Sequence, residues 1–272
     1  AELDRFDLIL VDECHRIQLG DDGEGMFRSF LADARIVNPM LRVIGLTATP
    51  YRLQGGPICG PENLLNHVCY EAGIREMIAQ GYLCPLKSKA GKNKADTSGL
   101  HIRGGEFIAD EVESLMDNDA LVRSACTEIA DLTRDRQAVL IFCAGVAHCR
   151  HVAAELAATT GQECGIVTGD TPSCERDELL RRFRGESVRD GLFEPKPPLK
   201  FLANCQVLTH GFDAPNVDCV VLLRPTNSPG LFVQMVGRAT RLHPGKKDAL
   251  ILDFGGNILR HGPVDGLKIK DR

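Results

Sequence analysis

The feature that most restricts this chain is the recurrence of short aliphatic-rich runs, each separated from the next by a helical pattern. They fall at Leu8–Val11, Leu41–Leu46, Ala138–Phe142, Glu163–Thr168, Lys200–Asn204, Cys219–Leu223 and Ala249–Asp253. Runs with so little polar alternation suit strands buried on both faces, as in a parallel sheet covered by helices. Between them, Val146–Thr159 places Val146, Cys149, Val152, Ala153 and Leu156 on one stripe and meets Gly161, a helix stop. Thr171-Pro172 and Ser228-Pro229 each read as an N-cap followed by a first-turn proline. The first opens a helix carrying Leu179, Leu180 and Phe183, and the second a helix through Arg238. The alternation predicts an α/β fold.

A boundary is expected near the middle. Gly81–Gly105 has little periodicity, several lysines and Gly/Pro punctuation, and reads as a linker or inserted loop. Two strand runs precede it, too few for a self-sufficient sheet, and five follow it. The expected organisation is a partial first domain over residues 1–85, a linker or insertion over 86–117, and a complete second domain over 118–272. Gly185–Pro198, rich in turn formers, reads as a surface loop.

With 43% hydrophobic and 25% charged residues the composition is that of a soluble globular protein. A net charge of −5 supplies no global basic field, so nucleic-acid binding would depend on local patches or backbone dipoles. No apolar run approaches membrane-spanning length and Ala1 does not open a signal peptide. The eleven cysteines are scattered without a C-x-x-C pair, and several sit inside apolar runs. They read as core or surface thiols in a reducing, cytoplasmic setting.

Two strand ends carry chemistry. "FDLILVDECHR" (Phe6–Arg16) ends its aliphatic run on Asp12 and Glu13, and "GLTATP" (Gly45–Pro50) ends on small hydroxyl residues. Ligands in open α/β sheets bind at carboxyl ends of strands. There one carboxylate can hold Mg²⁺ through water and the other polarise an attacking water. Taken alone, an acidic pair after a strand is also a common solvated turn. Late in the chain, "QMVGRATR" (Gln234–Arg241) puts Gln234, Arg238 and Arg241 on one helical face, at about +40° and −20° from the first. Two guanidiniums so presented could grip a triphosphate.

Taken in order, "VDECHR" and "GLTATP" resemble motifs II and III of superfamily 2 helicases. "TGDTPSCERDELL" (Thr168–Leu180) resembles that family's loop on the nucleic-acid backbone, and "VLTHGFDAPNVD" (Val207–Asp218) and "QMVGRATR" resemble motifs V and VI. Within the superfamily the strings look most like bacterial RadD (YejH)-like DEAD/DEAH-type DNA repair helicases; type I and III restriction motor subunits share much of the pattern. The resemblance implies two RecA-like lobes, the first partial and the second complete, with ATP and Mg²⁺ as cofactors. The partner would be DNA, RNA remaining open, contacted mainly through its backbone, with no membrane. Asp12 would hold Mg²⁺ through water and Glu13 orient the attacking water. His15, Gly211, Asp213, Gln234, Arg238 and Arg241 would line the nucleotide, with Arg241 or Arg238 as an arginine finger. Thr47, Ala48 and Thr49 would couple hydrolysis to movement, and Thr168, Gly169, Thr209 and Arg52 would meet nucleic acid. His148, His151 and His243 gain no role from the resemblance.

No G-x-x-x-x-G-K-[ST] occurs in these residues; Gly91-Lys92-Asn93 and Gly245-Lys246-Lys247 lack the upstream glycine and the hydroxyl. The family's phosphate-cradling loop lies upstream of the acidic motif, so the chain reads as N-terminally truncated and weak or inactive in ATP hydrolysis alone. The alternatives are a restriction-system motor and a nucleic-acid-binding remnant that does not hydrolyse.

Overall fold

The computed structural model describes residues 4–17, 26–49, 58–61, 63–188, 195–208 and 213–266. The chain divides into two compact units, Ala1–Glu71 with Lys268–Arg272, and Ala72–Leu267.

In the first unit, β1 (Leu8–Val11) pairs in parallel with β2 (Arg42–Gly45) across α1 (Met26–Val37), in the register Leu8↔Arg42 to Val11↔Gly45. One face of this ribbon packs Val11 against Cys14, Ile17, Ile58, Leu64 and Leu65. The other leaves Leu8, Leu10 and Ile44 exposed, so burial on both faces, expected from the aliphatic runs, does not hold here among the described residues. Two strands cannot bury what their composition provides for.

The second unit meets that expectation. It contains α2 (Ile74–Ala79), β3 (Leu86–Ala90), the hairpin β4 (Ile102–Arg103) and β5 (Glu106–Phe107), α3 (Ala109–Met116) and α4 (Asp119–Leu132). These lead into β6 (Val139–Phe142), α5 (Val146–Thr160), β7 (Cys164–Val167) and α6 (Ser173–Phe183). Then follow β8 (Phe201–Asn204), β9 (Cys219–Leu222), α7 (Pro229–Gly237), β10 (Ala249–Asp253) and α8 (Asn257–His261). Six parallel strands lie in the order β3-β10-β9-β6-β8-β7. Alternate side chains serve opposite cores. Val139 and Ile141 pack with Cys126 and Ile129 of α4 and Val152 and Leu156 of α5. Leu140 and Phe142 pack with Phe183 of α6 and Phe232 and Val236 of α7. Each fully buried Phe or Leu contributes roughly 1.5–3 kcal/mol.

Three local expectations are corrected. Gly81–Gly105 is not only a connector, because β3 inside it forms the sheet edge against β10. Its sequence, LKSKA, carries no aliphatic run because most of it is exposed; charged residues on an edge also deter pairing with another chain. Thr171 does not cap α6, whose N-cap is Pro172 with no side-chain bond. The Thr171 hydroxyl instead accepts from Thr168 N at 2.9 Å, closing the turn after β7. The helix begun by Ser228, which does accept from Leu231 N, ends at Gly237 with Arg238 as its C-cap. Arg241 therefore stands beyond the helix, and it does not share a helical face with Gln234.

Candidate functional site

The first cluster forms where β1 and β2 end side by side. Leu46 N donates to Val11 O at 2.8 Å and Cys14 N to Leu46 O at 3.0 Å, so the turn after β1 is tied to the end of β2. Cys14 is buried, and Gly45 leaves it room: a Cβ there would lie 2.7 Å from its Sγ. With that thiol as anchor, Asp12 and Glu13 project from the carboxyl end of the strand pair. Asp12 is exposed and its Oδ1 accepts from Glu13 N at 2.8 Å. Glu13 takes φ 50° and ψ 44°, a left-handed conformation costly for a residue with a β-carbon.

His15 joins this turn to the second strand. Its Nδ1 lies 2.9 Å from Thr47 Oγ1, 3.2 Å from Thr49 Oγ1 and 3.3 Å from Glu13 Oε2. Thr49 N donates to Thr47 Oγ1 at 3.0 Å, and Thr49 is almost fully buried while Ala48 is exposed. A single ring nitrogen facing two hydroxyls and a carboxylate shifts its preference with its proton: Nδ1–H favours Glu13, and bare Nδ1 accepts from a threonine. The acidic turn and the Thr47-Ala48-Thr49 segment are thus one hydrogen-bonded body. Arg52, Thr209 and Gly211, also expected at the site, lie outside the described residues.

In the second unit, Thr168 is buried at the end of β7, and Arg176 Nη2 donates to Thr168 O at 3.1 Å and Thr171 O at 3.4 Å. Gly169 is exposed, with open space where a side chain would stand, so its backbone can be approached closely. Asp213 is exposed; its carbonyl accepts from Arg184 Nε at 2.8 Å and its carboxylate pairs with the Arg241 guanidinium. The sequence strings resembling motifs V and VI are thereby joined.

Helix α7 bears half-buried Gln234 and, at its C-cap, Arg238, whose N–H donates to Met235 O. Both ends of α7 are held by residues the sequence reading did not assign. Before it, the Glu106 carboxylate from β5 accepts from Asn227 N at 2.7 Å and from the Thr226 hydroxyl. After it, Lys246 Nζ donates to Ala239 O at 2.6 Å and Arg241 O at 2.8 Å. Burial, above all, holds the Lys246 pKa below the ordinary lysine value. Arg176 and Lys246 were legible only as letters within the "TGDTP-x-x-ER" and "PGK" strings, while Glu106 had no signal.

Asp12 supplies hard, exposed carboxylate oxygen, the donor chemistry Mg²⁺ accepts through water. Among the described residues no group of three or more His, Cys, Asp or Glu is arranged to hold a metal.

Residues 121–243 match the family described as the helicase conserved C-terminal domain. IRC3 of Saccharomyces cerevisiae, named as an ATP-dependent helicase, is 30% identical over 92% of this chain and 34% of its own length. The EcoAI endonuclease subunit of an Escherichia coli type I restriction enzyme is 27% identical over 92% of the chain and 32% of its own length. The chain thus spans about a third of each relative. A fragment structure named as an HsdR subunit of a type I restriction enzyme from Vibrio vulnificus YJ016 aligns with a TM-score of 0.64 at 24% identity. It covers 94% of this chain and 45% of that one. That likeness is one of fold, and the six-stranded parallel sheet is of the RecA-like α/β kind.

Proposed function

We propose that this chain belongs to an ATP-driven motor that moves on nucleic acid, a reading supported by the match of residues 121–243 to the helicase conserved C-terminal domain. Asp12 would hold Mg²⁺ through water, and the ion would supply neutralisation of charge on the phosphates. Glu13 orients the attacking water, and Arg238 and Arg241 meet the charge that develops on the transferred phosphoryl group. Gly211, Asp213, Gln234 and His15 line the nucleotide. Thr168, Gly169, Thr209 and Arg52 contact the nucleic-acid backbone, which gives little sequence preference and strong salt sensitivity.

The observation that carries this reading is the His15 junction. One imidazole nitrogen touches the Glu13 carboxylate and both hydroxyls of Thr47 and Thr49. A change in charge or water at Glu13 is therefore felt at the threonine segment, which is what coupling hydrolysis to movement requires. The finer reading is a RadD-like DNA repair helicase in the cytoplasm, supported by the "VDECHR" to "PGK" strings. A restriction-system motor is the second reading, favoured by the identity with the EcoAI subunit.

The test is nucleic-acid-stimulated ATP hydrolysis by the full-length protein. Arg241→Ala and Glu13→Gln should each lower kcat by about a thousandfold, the scale of an arginine finger or water-positioning group. Nucleic-acid binding should change little. Near-normal hydrolysis in Arg241→Ala refutes the finger role, and in Glu13→Gln refutes the water-orienting role.

A further inference from the structure

Arg241 leaves a backbone that has already passed the end of α7, so no helix holds its direction. Four carbonyls of this turn are nevertheless engaged. Gly237 O accepts from the Thr240 hydroxyl at 2.9 Å, and Thr240 O from Cys84 N at 2.7 Å. Ala239 O and Arg241 O share one donor, the Lys246 ammonium, at 2.6 and 2.8 Å. Lys246 is itself fixed by a turn in which its N–H donates to His243 O at 3.1 Å.

We propose that Lys246 is a positioning residue for Arg241, its ammonium clamping the carbonyls on either side of Thr240 so that the guanidinium is presented from a rigid turn. A helix-capping lysine would satisfy carbonyls of the helix it ends. Lys246 instead reaches Ala239, beyond the last helical residue, and Arg241 itself. Both bonds go to main chain, leaving the Arg241 side chain to pair with Asp213 or with an incoming anion. The desolvation evident at Lys246 makes these bonds stronger than a solvated lysine would form. A guanidinium displaced by an ångström loses much of its effect on a transition state while still meeting the ground-state nucleotide.

This inference rests on the reading of Arg241 as a group that acts on ATP, and the experiment separates the two. In the full-length protein, kcat and KM for ATP are measured for wild type, Lys246→Met, Arg241→Ala and the double variant, with thermal midpoints alongside. Lys246→Met should lower kcat by about ten- to a hundredfold with KM within about threefold. Placed on Arg241→Ala, it should change the residual rate less than about twofold, because its effect passes through the arginine. An unchanged kcat in Lys246→Met, or the same fractional loss in both backgrounds, overturns the proposal while leaving the role of Arg241 intact. Wild-type turnover in Arg241→Ala refutes the finger role of Arg241 and overturns this inference with it. If Lys246→Met does not fold, Lys246→Gln, whose side chain is too short to bridge both carbonyls, carries the same comparison.

Discussion

Glu13 is held at φ 50°, and a non-glycine residue in that region costs on the order of 1–3 kcal/mol, offset by its surroundings. The offset comes from the anchoring of the next residue: Cys14 is buried, its N–H is bonded to Leu46 O, and its thiol fills the space Gly45 leaves. Gly45→Ala would place a Cβ 2.7 Å from both Cys14 Sγ and Leu65 Cδ1, forcing the turn away from β2. We expect a stability loss of about 1–3 kcal/mol by urea denaturation, the usual cost of overpacking. Under the proposed function, a marked fall in ATP turnover of the full-length protein should accompany it as the His15 contacts to Thr47 and Thr49 open. Wild-type stability and turnover in this variant would show that the two strand ends are not packed through Cys14.

At the scale of the element, α5 shows how a helix start is built from outside itself. Its N-cap Gly145 offers no side chain, and Glu113 of α3 supplies the acceptor instead, taking Ala147 N at 2.8 Å and His148 N at 3.2 Å. One turn in, buried His148 accepts from Ala144 N through Nδ1 at 3.2 Å, a bond only the neutral ring can make. Burial is the main cause that brings its pKa down to about 4. The unfolded chain, with an ordinary histidine value near 6.5, takes up the proton first as pH falls. The contribution is thus fully present above about pH 6.5 and is lost progressively toward pH 4, by about 2 kcal/mol at pH 5. His148→Asn, which keeps an acceptor near the Nδ1 position, should flatten this acid limb in urea titrations at pH 7.5 and 5. An unaltered pH dependence would mean His148 is not the group responsible.

On the scale of the whole molecule, one face of the six-stranded sheet is rich in thiols: Cys126, Cys143, Cys149, Cys164, Cys205 and Cys219 all lie in the same core cluster. Burial pushes Cys126 and Cys164 up to about 12 and Cys205 to about 11, so thiolate is scarce there at neutral pH. A thiol reagent should modify exposed Cys69 and Cys174 within minutes, with the core set reacting only as the sheet unfolds, read residue by residue by mass spectrometry. Rapid modification of Cys219 or Cys164 in the native protein would contradict that packing. Interior strands of this sheet were readable because burial on both faces demands unbroken apolar runs, as in Val139–Phe142 and Cys219–Leu222. The Ser228-Pro229 start was readable because a cap bond is local. Edge strand β3 was not, since an exposed strand need not be aliphatic, and neither was the end of α7, where a 3.6-residue period continues in the letters after the backbone has stopped following it. By itself, then, the sequence determined the parallel α/β order and the identity of the carboxylates, threonines and arginines, because these depend on side-chain type and short spacing. Tertiary structure alone decided that His15 joins Glu13 to Thr47 and Thr49, that Asp213 pairs with Arg241, and that Glu106 and Lys246 hold the two ends of α7. Those contacts join residues far apart in the chain, or end on main-chain carbonyls and amides, which every residue type presents alike.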